Sequence, residues 1–127
     1  MNIPKDRLYT KEHEWIFVAE DGRAIIGITD FAQDSLGDIV YVETPEIGDE
    51  ISAGDALATV ESVKAVSEVF SPGSGMVDNI NEELLDIPEI MNQKPYEAWM
   101  VKLSDFVAAK DLLSPEEYEE LLNSMEE

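Results

Sequence analysis

The stretch Ala56-Leu57-Ala58-Thr59-Val60-Glu61-Ser62-Val63-Lys64-Ala65-Val66-Ser67-Glu68-Val69-Phe70-Ser71 decides the fold class. Ala56–Glu61 and Val66–Ser71 are short, apolar and rich in β-branched residues, the composition of strands. Ser62-Val63-Lys64-Ala65 joins them, a length that suits a hairpin loop and puts a lysine at its tip. On one side Gly48-Asp49 and Gly54-Asp55 bracket a short strand around Ile51, because Gly supplies positive φ and Asp bonds nearby amides. On the other, Pro72-Gly73-Ser74-Gly75 reads as a turn before a strand Met76–Ile80. The middle of the chain is therefore a run of short strands punctuated by turns.

The flanks extend that reading. Trp15–Ala19 and Ala24–Ile28 form a hairpin through the Asp21-Gly22 turn. Thr29 or Asp30 caps a short helix reaching Leu36. Gln33 stands three residues after Asp30, as in a capping box, and Gly37 occupies the place of a left-handed C-terminal residue. Asp38–Glu43 is the next strand, stopped by Pro45. Farther on, Asn81 caps a helical turn through Leu84 and Leu85. Pro88 and Pro95 mark a long connection, and Trp99–Leu103 is a last strand. Phe106, Val107, Leu112 and Leu113 suggest one short helix. Ser114-Pro115-Glu116-Glu117 opens another, with Tyr118, Leu121, Leu122 and Met125 at helical spacing to lay an apolar stripe on the barrel. The expectation is a mainly β chain, a small barrel or sandwich with a short helix after the first hairpin and C-terminal helices packed on it. One domain spans 1–127, with a core of about 8–103 and a helical annex of about 104–127.

Charge narrows the partners. Eight cations against 29 acids leave a net charge of −21, which repels phosphate backbones and anionic membrane surfaces and attracts basic protein surfaces. Nucleic acid and membrane are excluded as partners on that ground. There is no cysteine and a single histidine, His13, so thiol chemistry and a zinc site have no ligands to build on. The N-terminus lacks the apolar stretch of a signal peptide and no run approaches membrane-spanning length, so the expected location is cytoplasmic. From residue 24 to residue 93 the only cation is Lys64, among 15 acids.

A lysine on a hairpin tip is accessible from most directions, which suits covalent modification. Glu61 and Glu68 surround it with negative charge, which suits an ammonium ion. A Schiff-base lysine needs an apolar pocket or a second cation instead. The residues alone leave two readings open, a modified lysine and a plain solvated one.

Glu61-Ser62-Val63-Lys64-Ala65, preceded by Gly54-Asp55 and followed by Ser71-Pro72 and Gly75, resembles the lipoyl-attachment region of the glycine cleavage H-protein family. Tyr9 with His13-Glu14-Trp15, then Gly27-Ile28-Thr29-Asp30-Phe31-Ala32-Gln33, then Leu36-Gly37-Asp38-Ile39-Val40-Tyr41-Val42 agree with it in order. Biotin carriers typically place Met on both sides of the modified lysine; here the neighbours are Val63 and Ala65. One departure is Pro95-Tyr96-Glu97-Ala98-Trp99, a residue shorter than the family's usual spacing and lacking its Gly before Trp.

The resemblance implies a lipoyl-domain-like barrel-sandwich hybrid with lipoate attached to Lys64, and Glu61, Ser62, Val63 and Ala65 as the attachment motif. It implies a non-enzymatic carrier that takes an aminomethyl group from glycine decarboxylase to aminomethyltransferase and then electrons to dihydrolipoamide dehydrogenase. Lipoate-attaching enzymes are further partners. A loaded amine needs a carboxylate and exclusion of water, for which the candidate contacts are Glu14 and Glu68, with His13 beside them. The alternatives are a similar carrier in lipoate relay or another pathway, an unmodified adaptor, and an enzyme using Glu14 and His13 as acid and base. The last is disfavoured, since no second His, Cys or phosphate loop accompanies them. A uniformly acidic face around the arm implies docking that weakens as salt rises.

Overall fold

The structure is a computed structural model that describes residues 2–125; Met1, Glu126 and Glu127, the ends of the expected domain, lie outside the described residues. Its strands are β1 (Leu8–Tyr9), β2 (Glu14–Val18), β3 (Ala24–Ile28), β4 (Ile39–Glu43), β5 (Glu50–Ile51), β6 (Ala56–Ser62), β7 (Val66–Phe70), β8 (Gly73–Ile80) and β9 (Val101–Ala108). Its helices are α1 (Asp30–Leu36), α2 (Glu83–Asp86), α3 (Ile90–Gln93) and α4 (Pro115–Met125). Two antiparallel sheets result, one ordered β1-β2-β3-β9-β8-β5 and the other β4-β6-β7. The mainly β architecture with an added C-terminal helix is the expected one.

The core lies between the sheets. Ile16, Ile26, Val77, Val101 and Leu103 from the larger sheet meet Ile39, Val42, Leu57, Val60 and Val69 from the smaller. A second cluster covers the opposite face of the larger sheet, where Tyr118 and Leu122 of α4 pack on Tyr9 and Trp15. Both faces of β2 and β3 are thus covered, which is why their sequences run apolar without strict alternation. Tyr9 and Tyr118 stack with ring centroids 4.7 Å apart. Gly27 sits directly under the Trp15 indole, where a Cβ would come within 2.6 Å of the ring.

Local signals set several boundaries. Gly22 turns the first hairpin at φ 87°. Thr29 is the N-cap of α1, its hydroxyl accepting from the Ala32 amide at 3.2 Å. Gln33 instead donates its side-chain amide to the Asp30 carboxylate at 2.9 Å, so the expected Asp30 capping box does not form. Gly37 ends α1 at φ 80° and ψ −159°, a conformation outside the left-handed helical well that only glycine adopts readily. Ser114 and Glu117 form the capping pair of α4, each amide donating to the other's side chain.

Three expectations are corrected. Phe106 and Val107 are not helical: β9 runs on to Ala108, paired with Gly73 and Ser74 of β8, and among the described residues α4 is the single helix after it. The long-range ladder outweighs the local helical spacing, and Leu113 joins Tyr9 in an isolated bridge. Gly73-Ser74-Gly75 is not a turn but the start of β8. Its glycines are there for close approach, since a Cβ at Gly73 would run into the Val107 carbonyl and one at Gly75 would lie 2.7 Å from the Ser104 carbonyl. The last strand starts at Val101 rather than Trp99.

Candidate functional site

Lys64 stands on the β6–β7 turn as expected. Glu61 pairs with Val66, and the Ser62 amide donates to the Ala65 carbonyl at 2.8 Å, closing the hairpin. The buried Ser62 hydroxyl accepts from the Ala65 amide at 3.1 Å and the Lys64 amide at 3.3 Å. A side chain thus satisfies the turn's inward-pointing donors, and no residue in the loop needs positive φ. From outside the hairpin, the Val63 amide donates to the Asp38 carbonyl at 2.9 Å. Gly37 lies under the lysine: a Cβ there would be in ordinary contact with Lys64 Cε at 3.5 Å, so the glycine is required by its φ of 80° and not by the stem.

The tip is open. Val63 is 69% exposed and Val66 65% exposed, and Lys64 itself is exposed. Among the described residues no carboxylate forms an ion pair with Lys64. Around it, Tyr41 pairs with Glu61 and Thr59 stands between Glu43 and Glu68, so the exposed sheet surface below the tip mixes apolar side chains with acids.

Glu14 has a different setting. It is only 2% exposed, at the end of β2, yet its carboxylate reaches across to the other sheet. Thr10 Oγ1 donates to Glu14 Oε1 at 2.6 Å and the Phe70 amide donates to Oε2 at 3.2 Å. Burial pushes the Glu14 carboxyl up to about 7, against the lowering effect of the Thr10 and Phe70 hydrogen bonds. The side chain borders a cleft of about 510 Å³ with Thr10, Gly54, Phe70, Pro72 and Leu112 among its walls. This is a partly apolar recess with one buried carboxyl and the exposed Lys11, Glu12 and Asp111 on its walls, and the ionised form of that carboxyl would favour a cation as guest.

Glu68 is exposed on β7 and does not line that cleft. Val66, Glu68 and Phe70 share one side of the strand, so Glu68 lies midway along a path of about 13 Å from the hairpin to the cleft wall. His13 is not brought to the cleft either. It takes φ 69°, its ring packs on Phe31 at 4.5 Å between centroids, and Nδ1 lies 2.9 Å from the Tyr118 hydroxyl. That hydroxyl is also 2.7 Å from Thr29 Oγ1, so the imidazole ties α4 to the cap of α1. Burial lowers the His13 value below the ordinary one, with Glu12 opposing.

Sequence reasoning missed Thr10, Phe70 and Leu112 as cleft residues and Asn92 beside the hairpin. Only Thr10, four residues before Glu14, left a usable local signal. The Pro95–Trp99 segment is held by Trp15 and Arg7. Its Pro95 carbonyl accepts from Trp15 Nε1 at 3.0 Å, and its Tyr96 carbonyl from the Arg7 guanidinium at 3.0 Å. No described helix is long and apolar enough to cross a membrane.

Residues 7–125 match the family described as Glycine cleavage H-protein. The chain is similar to proteins named glycine cleavage system H protein from several bacteria. It is 55% identical over 124 residues to that of Carboxydothermus hydrogenoformans, covering 94% of each chain. It is 52% identical over 126 residues to that of Listeria monocytogenes serotype 4a, covering 97% of this chain and all of the relative. The crystal structure of a glycine cleavage system H protein from Mycobacterium marinum superposes with a TM-score of 0.90 at 38% identity, over 95% of this chain and 99% of that one.

Proposed function

Because this chain belongs to the glycine cleavage H-protein family, we propose that its attachment point for a lipoyl group is Lys64. As a member of that family it is a carrier of the glycine cleavage system and not itself a catalyst, and it works with the other components of that system. The observation that carries the assignment is the open hairpin: an exposed lysine without a carboxylate partner among the described residues, on a turn whose backbone is fixed by Ser62 and Asp38.

Attachment needs an amine that an enzyme can surround, and the tip offers one. The Lys64 amine in its neutral form attacks the carbonyl carbon of an activated carboxylic acid. A C–N amide bond forms, the C–O bond to the activating group breaks with its electron pair, and the nitrogen gives its proton to water. A lipoyl group would supply a dithiolane whose sulfurs take a carbon unit and electrons, chemistry for which this cysteine-free chain has no thiol of its own. Every other task falls to the chain: Ser62 shapes the turn, Gly37 lies beneath the stem, and the acidic surface offers docking to basic rims.

The proposed partners are glycine decarboxylase, aminomethyltransferase, dihydrolipoamide dehydrogenase and lipoate-attaching enzymes, and the proposed location is the cytoplasm. Glu14 is the proposed contact for a protonated amine entering the cleft, and Glu68 a waypoint on the strand leading there. His13 serves the α1–α4 junction instead. The test of attachment is the intact mass of the wild-type chain and Lys64→Arg, each expressed in a lipoate-competent host. The wild type should gain a lipoyl amide and the variant none; an unmodified wild type refutes the assignment. Exchange of glycine carboxyl carbon with bicarbonate on purified glycine decarboxylase should then require the modified wild-type chain. For Glu14, hydrolytic loss of the one-carbon cargo should run faster in Glu14→Ala, and an unchanged lifetime refutes its role.

A further inference from the structure

We infer that Asn92 of α3 is a positioning residue for Lys64, holding the hairpin tip in the form that a lipoate-attaching enzyme accepts. The inference rests on the proposal that Lys64 is the attachment site.

β4 is an outer strand of its sheet, so some of its backbone groups have no neighbouring strand. Ile39, its first residue, is buried, and a buried amide without a partner is costly. The Asn92 carboxamide supplies that partner: Oδ1 accepts from the Ile39 amide at 2.9 Å. Nδ2 donates to the Gly37 carbonyl at 2.8 Å and to Gln33 Oε1 at 3.0 Å. All the strong donors and one acceptor position of the side chain are therefore in use, and a flipped amide would set NH₂ against the Ile39 N–H.

Those contacts lie on both sides of Asp38. Its carbonyl is the group that receives the Val63 amide, a main-chain bond that ties the tip to the residue preceding β4. Ile39 also pairs with Ser62, and a register shift between Ile39 and Tyr41 separates this pair from the regular part of the β4–β6 ladder. The ladder alone thus fixes the Ile39 end poorly, and Asn92 takes over that duty. Gly37, held through its carbonyl, is also the residue beneath the Lys64 stem. One side chain, 28 positions from the lysine in sequence, fixes the floor under it and the anchor beside it. Without Asn92 the tip keeps its own Ser62 turn but loses its fixed place, so an enzyme that reads the tip must order it on binding.

The test is lipoylation of the full-length chain by a lipoate–protein ligase with lipoate and ATP, followed by intact mass at several carrier concentrations. Asn92→Ala should lower kcat/KM about tenfold, the equivalent of one to two lost hydrogen bonds, with the change carried by KM. Amide hydrogen exchange supplies a local readout: Val63 should lose protection while Val60 and Val69 keep theirs. Gln33→Ala removes a partner of Asn92 but neither backbone contact, and should lipoylate as the wild type does. Should Asn92→Ala fail to fold, Asn92→Asp retains the acceptor for Ile39 while turning a carboxylate on the Gly37 carbonyl, and the same fall in kcat/KM is expected. A folded Asn92 variant with wild-type KM, or with unchanged Val63 protection, overturns the inference. An unmodified wild type overturns the Lys64 assignment and this inference with it.

Discussion

Replacing Glu14 by Gln should reshape the pH dependence of stability. The buried carboxyl is held at about 7 in the folded chain, against an ordinary 4.5. Ionising it inside the protein is therefore costlier than in the unfolded chain by about 3 kcal/mol. Below pH 4.5 both states keep the proton and the protonated carboxyl contributes its full stability. As the pH rises from there, the unfolded chain ionises first and stability drains away. Above about 7 both states are ionised and the whole amount is gone. A Gln at the same place never titrates. The difference in unfolding free energy, Glu14→Gln minus wild type, should then grow by about 2.5 kcal/mol between pH 5 and pH 8, the window that stays clear of the isoelectric point near 4.1. Other carboxylates, such as Asp6, Asp21 and Glu117, whose values are lowered by hydrogen bonds, act in the opposite direction but are common to both chains. Urea unfolding at fixed ionic strength, followed by tryptophan fluorescence, measures the difference. Curves that stay parallel across the window would refute the reasoning and show Glu14 to be solvated in solution.

Gly27→Ala should lose about 2 kcal/mol or more, because the new methyl meets the Trp15 ring that Pro95 and Arg7 hold in place; an unchanged urea midpoint would contradict that packing. Thr29→Val keeps the shape but removes the α1 cap and a partner of the Tyr118 hydroxyl, for an expected loss of about 1–2 kcal/mol by the same measurement. Loss below a few tenths would show the cap to be replaceable. With a net charge of −21, loading by partner enzymes should slow as sodium chloride rises from low to physiological concentration. A loading rate indifferent to salt would remove the electrostatic docking argument.

Much of this was legible because the signals are local. The β6–β7 hairpin, the Asp21-Gly22 turn, the Thr29 cap and the Ser114-Pro115 start of α4 each depend on a few adjacent residues, and each formed where its chemistry requires. The misreadings share one cause. Gly73 and Gly75 look like turn residues until β9 is laid beside them, and Phe106 and Val107 look helical until β8 supplies their ladder. Glycine permits both a reversal and a close approach, and only the neighbour says which one is used.

The same division runs through the site. Lys64 on a tip was written in the chain, since a four-residue link between two strands has nowhere else to put it. His13 and Glu14 are adjacent in sequence and looked like a pair, but one ring turns to Tyr118 and Phe31 while the other side chain crosses to Phe70. The sequence by itself determined strands, turns, charge and an accessible lysine, because propensities and hairpin lengths act over a few residues. Tertiary structure alone decided the buried carboxyl at the mouth of the sandwich and the Asn92 clamp on Gly37 and Ile39. Desolvation and edge pairing depend on which distant segments meet, and that is settled only when the two sheets close on one core.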